Sequence, residues 1–185
     1  MEGSLGKIAA ACLFVLTAGS AVLAGEMPVE RSPDGFRDLR WGMRFDAARA
    51  VYPDLVVREK VSGPEGDVWE CRRGKEDRVS GPVTFESIDY RFVGGGFDGV
   101  LATVRNAHGD ANPRARKAYD HYRSAVTARF GEPSTQGEAL DRSSGGEAYA
   151  LWKGGGTRIL ARWKSNEGGS RQDVFRLEIR RSVSP

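Results

Sequence analysis

Residues 90–104 read Y-R-F-V-G-G-G-F-D-G-V-L-A-T-V, and the role of their glycines decides the fold. Gly94, Gly96 and Gly99 match the G-x-G-x-x-G spacing of a dinucleotide-binding turn, in which a helix follows and its first N–H groups hold the pyrophosphate. The next five residues, V-L-A-T-V, instead favour a strand because three of them are β-branched. We therefore predict a glycine hairpin between two strands, since glycine readily adopts the positive φ of such a turn.

A second glycine triplet at 154–156 also lies between strand-like segments and predicts another hairpin. Apolar residues at helical spacing predict a short helix over 45–52 and a longer one over 113–129. The stretch 132–147 is rich in Ser, Gly and charge, which is typical of a loop. Alternating residues predict seven strands, at 55–61, 68–73, 86–93, 100–105, 148–153, 157–164 and 174–182. We expect an α+β domain: an antiparallel sheet with two helices packed on one face, and a helix-then-strands order repeated twice.

The N-terminal segment has the pattern of a secretory signal peptide. A short polar start carries Lys7, an apolar run follows over 8–23, and small side chains stand at the expected cleavage site. The alternative is an uncleaved anchor, but the apolar run is shorter than the about 20 residues that cross a bilayer. We predict a signal peptide at 1–24, a flexible leader at 25–35 and a single domain at 36–183. The mature protein would be periplasmic or secreted, without a stable membrane span.

The predicted strands near the C-terminus carry a stripe of basic residues. The whole chain has a formal net charge of +3, which is far below that of a dedicated nucleic-acid-binding protein. If strands 157–164 and 174–182 pair, their outward side chains form a basic patch of Arg158, Arg162, Lys164, Arg176 and Arg180. Such a patch predicts binding to an acidic protein or an anionic envelope polymer. The alternative is a solvated sheet face whose charge Glu178 balances.

Candidate catalytic groups are few. His108, Asp110 and His121 could support a metal-dependent hydrolase, but no H-E-x-x-H, G-x-S-x-G or S-x-x-K motif is present. Cys71 is the one cysteine outside the signal segment, and the residues around it are typical of a buried thiol. We therefore expect no cofactor, no metal and no catalytic residue, while carboxylates that meet in space keep an enzyme possible.

Several short motifs resemble a widespread group of small exported bacterial envelope proteins of unknown function. They are the Trp-Gly lead-in F-R-D-L-R-W-G-M at 36–43, the segment Tyr90-Arg91-Phe92, and Phe130-Gly131-Glu132-Pro133 at the end of the second helix. The likeness covers roughly residues 36–181. In outline the chain is also similar to β-lactamase inhibitory protein and to small outer-membrane assembly lipoproteins, although Gly25 stands where the lipoproteins have a lipidated cysteine. This resemblance implies protein binding across the sheet.

These observations predict an exported, non-enzymatic binding or accessory protein of the cell envelope. The alternative function is a metal-dependent hydrolase that uses the region of His108, Asp110 and His121. The sequence leaves open the partner, the oligomeric state and whether Cys71 pairs between chains.

Overall fold

The structure is a computed structural model that describes residues 33–63, 66–141, 145–166 and 169–182. The predicted signal peptide and most of the predicted leader lie outside these residues. The described helices are α1 (Phe45–Val51) and α2 (Arg114–Phe130). The described strands are, in chain order, β1 (Gly35–Phe36), β2 (Leu39–Arg40), β3 (Leu55–Gly63), β4 (Gly66–Arg73), β5 (Val79–Ser80), β6 (Val83–Thr84), β7 (Ser87–Val93), β8 (Gly96–Ala107), β9 (Thr135–Asp141), β10 (Gly145–Gly154), β11 (Thr157–Lys164) and β12 (Gln172–Arg181).

One large sheet contains eight of these strands, in the order β3-β4-β7-β8-β12-β11-β10-β9. Every neighbouring pair in it is antiparallel, which confirms the predicted antiparallel sheet. Strands β8 and β12 pair at its centre and join the two halves of the chain, because β12 is the last strand and β8 precedes α2. Two small ribbons, β1-β2 and β5-β6, lie outside this sheet.

The predicted fold class is wrong. An α+β domain with two helices packed on a sheet, and with its helix-then-strands unit repeated, does not describe a chain in which 55% is strand and 18% helix. One reason is that the predicted loop at 132–147 forms β9 and the start of β10, which extend the sheet. A second reason is that α1 has only seven residues and is too short to form a layer over eight strands. The domain is therefore mostly β.

Both glycine triplets form hairpin turns, as predicted. Gly94 and Gly95 have φ values of 56° and 80° and join β7 to β8. Gly155 and Gly156 have φ values of 55° and 74° and join β10 to β11. Two successive residues with positive φ are typical of a type I′ turn, whose twist matches that of the strands. Because a strand and not a helix follows Gly94–Gly96, the segment does not have the geometry of a dinucleotide-binding turn.

The two faces of the large sheet have different surroundings. On one, which we call the covered face, the Tyr122 ring of α2 stacks on Phe175 with centroids 5.7 Å apart. On the same face the Phe45 ring of α1 meets Phe92 edge-on at 5.2 Å. Successive residues of a strand point to opposite faces, so the neighbours of Phe175 and Phe92 point to the other side, which we call the open face. Among the described residues, no helix is both long and apolar enough to cross a membrane.

Candidate functional site

The five basic residues predicted as a binding patch lie together on the open face. On β11 the buried residues Thr157, Ile159, Ala161 and Trp163 alternate with half-buried ones, so the half-buried side chains point away from the core. The pairing of β11 with β12 sets Arg158 opposite Arg180, Arg162 opposite Arg176 and Lys164 opposite Val174. We call this set the basic face: Arg158, Arg162, Lys164, Arg176 and Arg180.

Acidic side chains balance part of this charge. Glu178 Oε1 lies 2.8 Å from Arg158 Nη2 and 2.6 Å from Arg180 Nε. Arg162 Nε donates a hydrogen bond of 2.7 Å to Glu147 Oε1 on β10. Partly exposed pairs of this kind contribute about 0–1 kcal/mol each, because water competes for both partners. The arginines can therefore exchange these contacts for an external anion at little cost.

A further arginine, Arg91 on β7, lies in line with the basic face and is not among the five residues predicted from the sequence. Arg91 is opposite Gly99 on β8, and Gly99 is opposite Arg180 on β12. A methyl group on Gly99 would stand 2.8 Å from Arg180 Cγ, so the Arg180 side chain lies against this glycine. The alternation of Tyr90 and Phe92 indicates that Arg91 points outward. Only the strand order shows which residues lie beside it.

The charges of Arg91, Arg158 and Arg180 act on one another. Burial lowers the pKa of the Arg180 guanidinium below its ordinary value, and Arg91 and Arg158 lower it further, while Glu178 and Asp98 oppose the change. Arg91 Nε lies 3.7 Å from Asp98 Oδ2. We call Arg91, Arg158 and Arg180 the arginine cluster. Arg91 lies on β7, three strands away from Arg158 on β11.

Half-buried leucines lie beside these charges on the open face. The register places Leu101, Glu178, Leu160 and Leu151 in one row across β8, β12, β11 and β10. All three leucines are half-buried. Interfaces between proteins commonly combine apolar and aromatic side chains with arginine. The open face thus has both the apolar and the cationic components of such an interface.

A second polar region lies at the junction of β4 and β7, beside an open cavity of about 320 Å³. The Glu76 carboxylate is only 4% exposed and is ion-paired with Arg37. It also accepts a hydrogen bond of 2.7 Å from the Tyr90 hydroxyl. Burial raises the pKa of Tyr90 above its ordinary value, and Glu76 raises it further. The Glu76 carboxylate therefore has its partners within the chain. Its ion pair holds the turn that contains Arg37 against the sheet.

The structure does not bring the proposed hydrolase residues together. His108 Nδ1 lies 2.8 Å from Asp173 Oδ1 and 3.0 Å from Ser165 Oγ. Asp110 Oδ1 accepts the N–H of Asn112 in its own loop. His121 stands by Gly81, at the β5-β6 ribbon, where a methyl group on the glycine would lie 3.4 Å from His121 Nε2.

The group of His108, Ser165 and Asp173 contains the residue types of a hydrolytic triad but not its geometry. In such a triad the serine and the carboxylate contact opposite nitrogens of the histidine. Here both contact Nδ1, and Ser165 Oγ donates to Asp173 Oδ1 at 2.9 Å. Burial alone would raise the pKa of Asp173, but hydrogen bonds from His108, Ser165 and the Asn166 N–H hold it below its ordinary value. These contacts hold the connection between β11 and β12 against the beginning of the loop that precedes α2.

Cys71 is a buried free thiol on the covered face of β4. Burial, with a smaller contribution from Glu70, raises the pKa of Cys71 to about 12. Nucleophilic cysteines need a lowered pKa and access to solvent, so this thiol is suited to packing and not to catalysis.

Within the described residues, no group of three or more His, Cys, Asp or Glu side chains has the arrangement of a metal site. Comparisons with protein-family models, with curated proteins and with solved structures gave no significant match. The resemblance to small exported envelope proteins and to β-lactamase inhibitory protein thus stays a prediction from short motifs.

Proposed function

We propose that this protein is an exported, non-enzymatic binding or accessory protein of the cell envelope, and that its basic face binds an acidic protein. One observation carries the proposal: the β11-β12 register gathers Arg158, Arg162, Lys164, Arg176 and Arg180 on a sheet face that α1 and α2 leave uncovered. A concentrated positive surface attracts acidic partners and orients them as they approach.

Export is proposed from the sequence pattern at 1–24, which combines a charged start, an apolar run and small residues at a cleavage site. A periplasmic or secreted protein meets its partners outside the cytoplasm, where exposed surface proteins and envelope polymers are available. A nucleic acid is a poor candidate for the partner because the net charge is only +3.

An acidic protein fits the open face better than an anionic polymer does. Leu101, Leu151 and Leu160 are half-buried and lie in the row next to the arginines. A partner protein can bury these leucines with its own apolar side chains while its carboxylates meet the arginines. A polymer built on phosphate or uronate groups is negatively charged but has few apolar groups. The three leucines would therefore add little to its binding.

Site-specific cross-linking in the native host tests the proposal. A photoreactive amino acid at position 160 samples the open face, and one at position 124 on exposed α2 serves as the matched control. The variant to compare combines Arg162→Glu, Lys164→Glu and Arg176→Glu. A control variant combines Arg49→Glu, Lys117→Glu and Arg123→Glu, which changes the net charge equally but on the two helices.

We expect position 160, and not position 124, to capture a protein with an acidic surface. Capture should be lost in the open-face variant, retained in the helix variant and weakened by salt, because exposed charges are screened within about 10 Å at 0.1 M. Capture that survives reversal of the open-face charges contradicts the assignment of this face. Capture of a polymer instead of a protein contradicts the partner class.

A further inference from the structure

Three guanidinium groups come together on the open face in one row of the sheet. The register runs from Arg91 on β7 through Gly99 on β8 to Arg180 on β12 and Arg158 on β11. Neighbouring strands are about 4.8 Å apart, so without the glycine a fourth side chain would separate Arg91 from Arg180. A methyl group on Gly99 would stand 2.6 Å from the Ile179 carbonyl oxygen and 2.8 Å from Arg180 Cγ. The absence of a side chain at Gly99 therefore leaves the space in which the side chains of the arginine cluster meet.

The cluster keeps an excess of positive charge. Glu178 pairs with Arg158 and Arg180, and Asp98 lies near Arg91. Three guanidiniums against these two carboxylates leave one positive charge. The row continues from Arg91 to Glu70 on β4 and Glu59 on β3, and from Arg158 to Lys153 on β10. These three side chains are exposed, so water and salt screen their effect on the cluster.

The cluster also has more hydrogen-bond donors than acceptors. Each guanidinium carries five N–H groups, and among the described residues the ion pairs of the cluster involve two carboxylates, Asp98 and Glu178. Among the described residues, four buried side-chain nitrogens have no hydrogen-bond partner: Arg91 Nε, Arg158 Nε, Trp69 Nε1 and Trp163 Nε1. Buried polar atoms in native proteins are nearly always paired, and an unpaired one often marks the place of a missing ion or water. Two of these four nitrogens belong to the arginine cluster, and the other two are indole nitrogens outside it.

We infer that the arginine cluster is a binding pocket for a single carboxylate, supplied by an acidic side chain of the protein partner. This inference rests on the proposed function and adds Arg91 to the residues that make contact. The planar guanidinium presents paired donors that match the two oxygens of a carboxylate. The side chains of Arg91, Arg158 and Arg180 are 24%, 39% and 35% exposed, so their terminal nitrogens can be reached from solvent while their stems are held.

A carboxylate fits this cluster better than a phosphate group. One carboxylate neutralises the single excess charge, whereas a phosphate monoester carries about −1.5 to −2 at pH 7 and would leave the site negative. The row next to the cluster holds Leu101, Leu160 and Leu151, which suits an acidic residue with apolar neighbours in a polypeptide.

The inference can be tested without the partner. Arginine Nε–Hε signals of the ¹⁵N-labelled protein are followed during titration with acetate, at constant ionic strength and pH 7.5, and separately with inorganic phosphate. The variants are Arg91→Gln and Arg158→Gln. The matched control is Arg72→Gln, which removes one half-exposed arginine from the same sheet face, where it pairs with Asp89. Amide spectra of each variant show whether it is folded.

We expect saturable acetate-induced shifts confined to Arg91, Arg158 and Arg180. Arg91→Gln and Arg158→Gln should each weaken acetate binding by about tenfold, as expected from losing one charge-assisted hydrogen bond. Arg72→Gln should leave it within about twofold, because that arginine is outside the cluster. Shifts spread evenly over all arginines, or no saturable shift, would overturn the inference. So would phosphate binding more than about tenfold tighter than acetate, which would favour a phosphate-bearing ligand.

The two proposals fail in different ways. Saturable acetate binding in a protein whose basic face captures no acidic protein contradicts the proposed function alone. Absence of acetate binding in a protein that still captures its partner through Arg162, Lys164 and Arg176 contradicts the carboxylate pocket alone.

Discussion

The covered and open faces of the sheet are built from alternate residues of the same strands, yet they follow different physical rules. The covered face buries aromatic rings completely, and Tyr90, Phe92 and Phe175 have 0% exposure. Their chain neighbours Arg91 and Arg176 are half-buried on the open face. One side therefore stabilises the fold by excluding water from apolar surface, while the other keeps charged groups in reach of solvent.

This difference separates stability from recognition within one sheet. The open face holds its arginines by ion pairs that contribute little free energy, so it can change partners without unfolding the domain. The covered face has no such freedom, because close-packed rings lose contacts on any shift. Substitutions on the two faces should accordingly differ in kind as well as in size.

The largest effect is expected for Phe175→Ala. Its ring is fully buried and contacts both Tyr119 and Tyr122 of α2, so its removal leaves a cavity between the helix and the sheet. The free energy of unfolding should fall by about 3–5 kcal/mol. Arg176→Ala, one residue further on, should change it by less than about 1 kcal/mol. Urea denaturation of both variants measures the difference, and equal losses would contradict the contrast between the faces.

The next effect concerns the polar end of the covered face, at Asp173. This carboxylate accepts hydrogen bonds from Ser165 Oγ at 2.9 Å and the Asn166 N–H at 3.1 Å, and it contacts His108. Asp173→Asn should lower the free energy of unfolding at pH 7 by about 1.5–3 kcal/mol, the usual range for hydrogen bonds to a charged group. Asp110→Asn in the exposed neighbouring loop serves as the control and should change it by less than about 0.5 kcal/mol.

The sign of the pH dependence follows from the lowered pKa of Asp173 in the folded state. A group with a depressed folded pKa stabilises the protein above its unfolded pKa, which is about 3.9 for aspartate. That stabilisation is lost as the pH falls through the folded value. The difference between the wild type and Asp173→Asn should thus persist from pH 7 to about pH 5 and shrink below about pH 4. A difference that does not shrink below about pH 4 would show that the ionised carboxylate is not the stabilising form.

Local signals were enough to predict most strands and both helices. The alternation on β11 predicted Thr157–Lys164 without error, and the glycine triplets predicted the turns. The basic residues on β11 and β12 could be placed on one side by the same alternation. What these signals share is that each depends on the preferences of residues close in the sequence.

The errors arose where the structure depends on distant residues. β9 contains Gly137 and several polar side chains, so it has no strand pattern of its own and forms because β10 offers it hydrogen bonds. Arg91 joined the candidate site only through strand order, which no local pattern reveals. The start of α2 likewise depends on a distant residue, because Asn106 Oδ1 on β8 accepts the Ala115 N–H at 2.8 Å.

The smallest loss of stability is expected for Gly99→Ala, and this substitution should also weaken binding on the open face. The added methyl group would meet the Ile179 carbonyl oxygen at 2.6 Å, and backbone atoms of a central strand cannot move aside easily. The free energy of unfolding should fall by about 1–3 kcal/mol, as in other overpacked sites. The loss should come with weaker acetate binding, because Arg180 would be displaced from its place between Arg91 and Arg158.

Gly137→Ala is the matched control for this prediction. Its methyl group would meet the Tyr149 ring at 2.8 Å, but that side chain is half-buried on edge-proximal β10 and can turn away. We expect its unfolding free energy to change by less than about 1 kcal/mol and its acetate binding to stay as in the wild type. If Gly99→Ala were as stable as Gly137→Ala and bound acetate normally, Gly99 would be an ordinary strand residue, and the arginine cluster would not depend on the space it leaves.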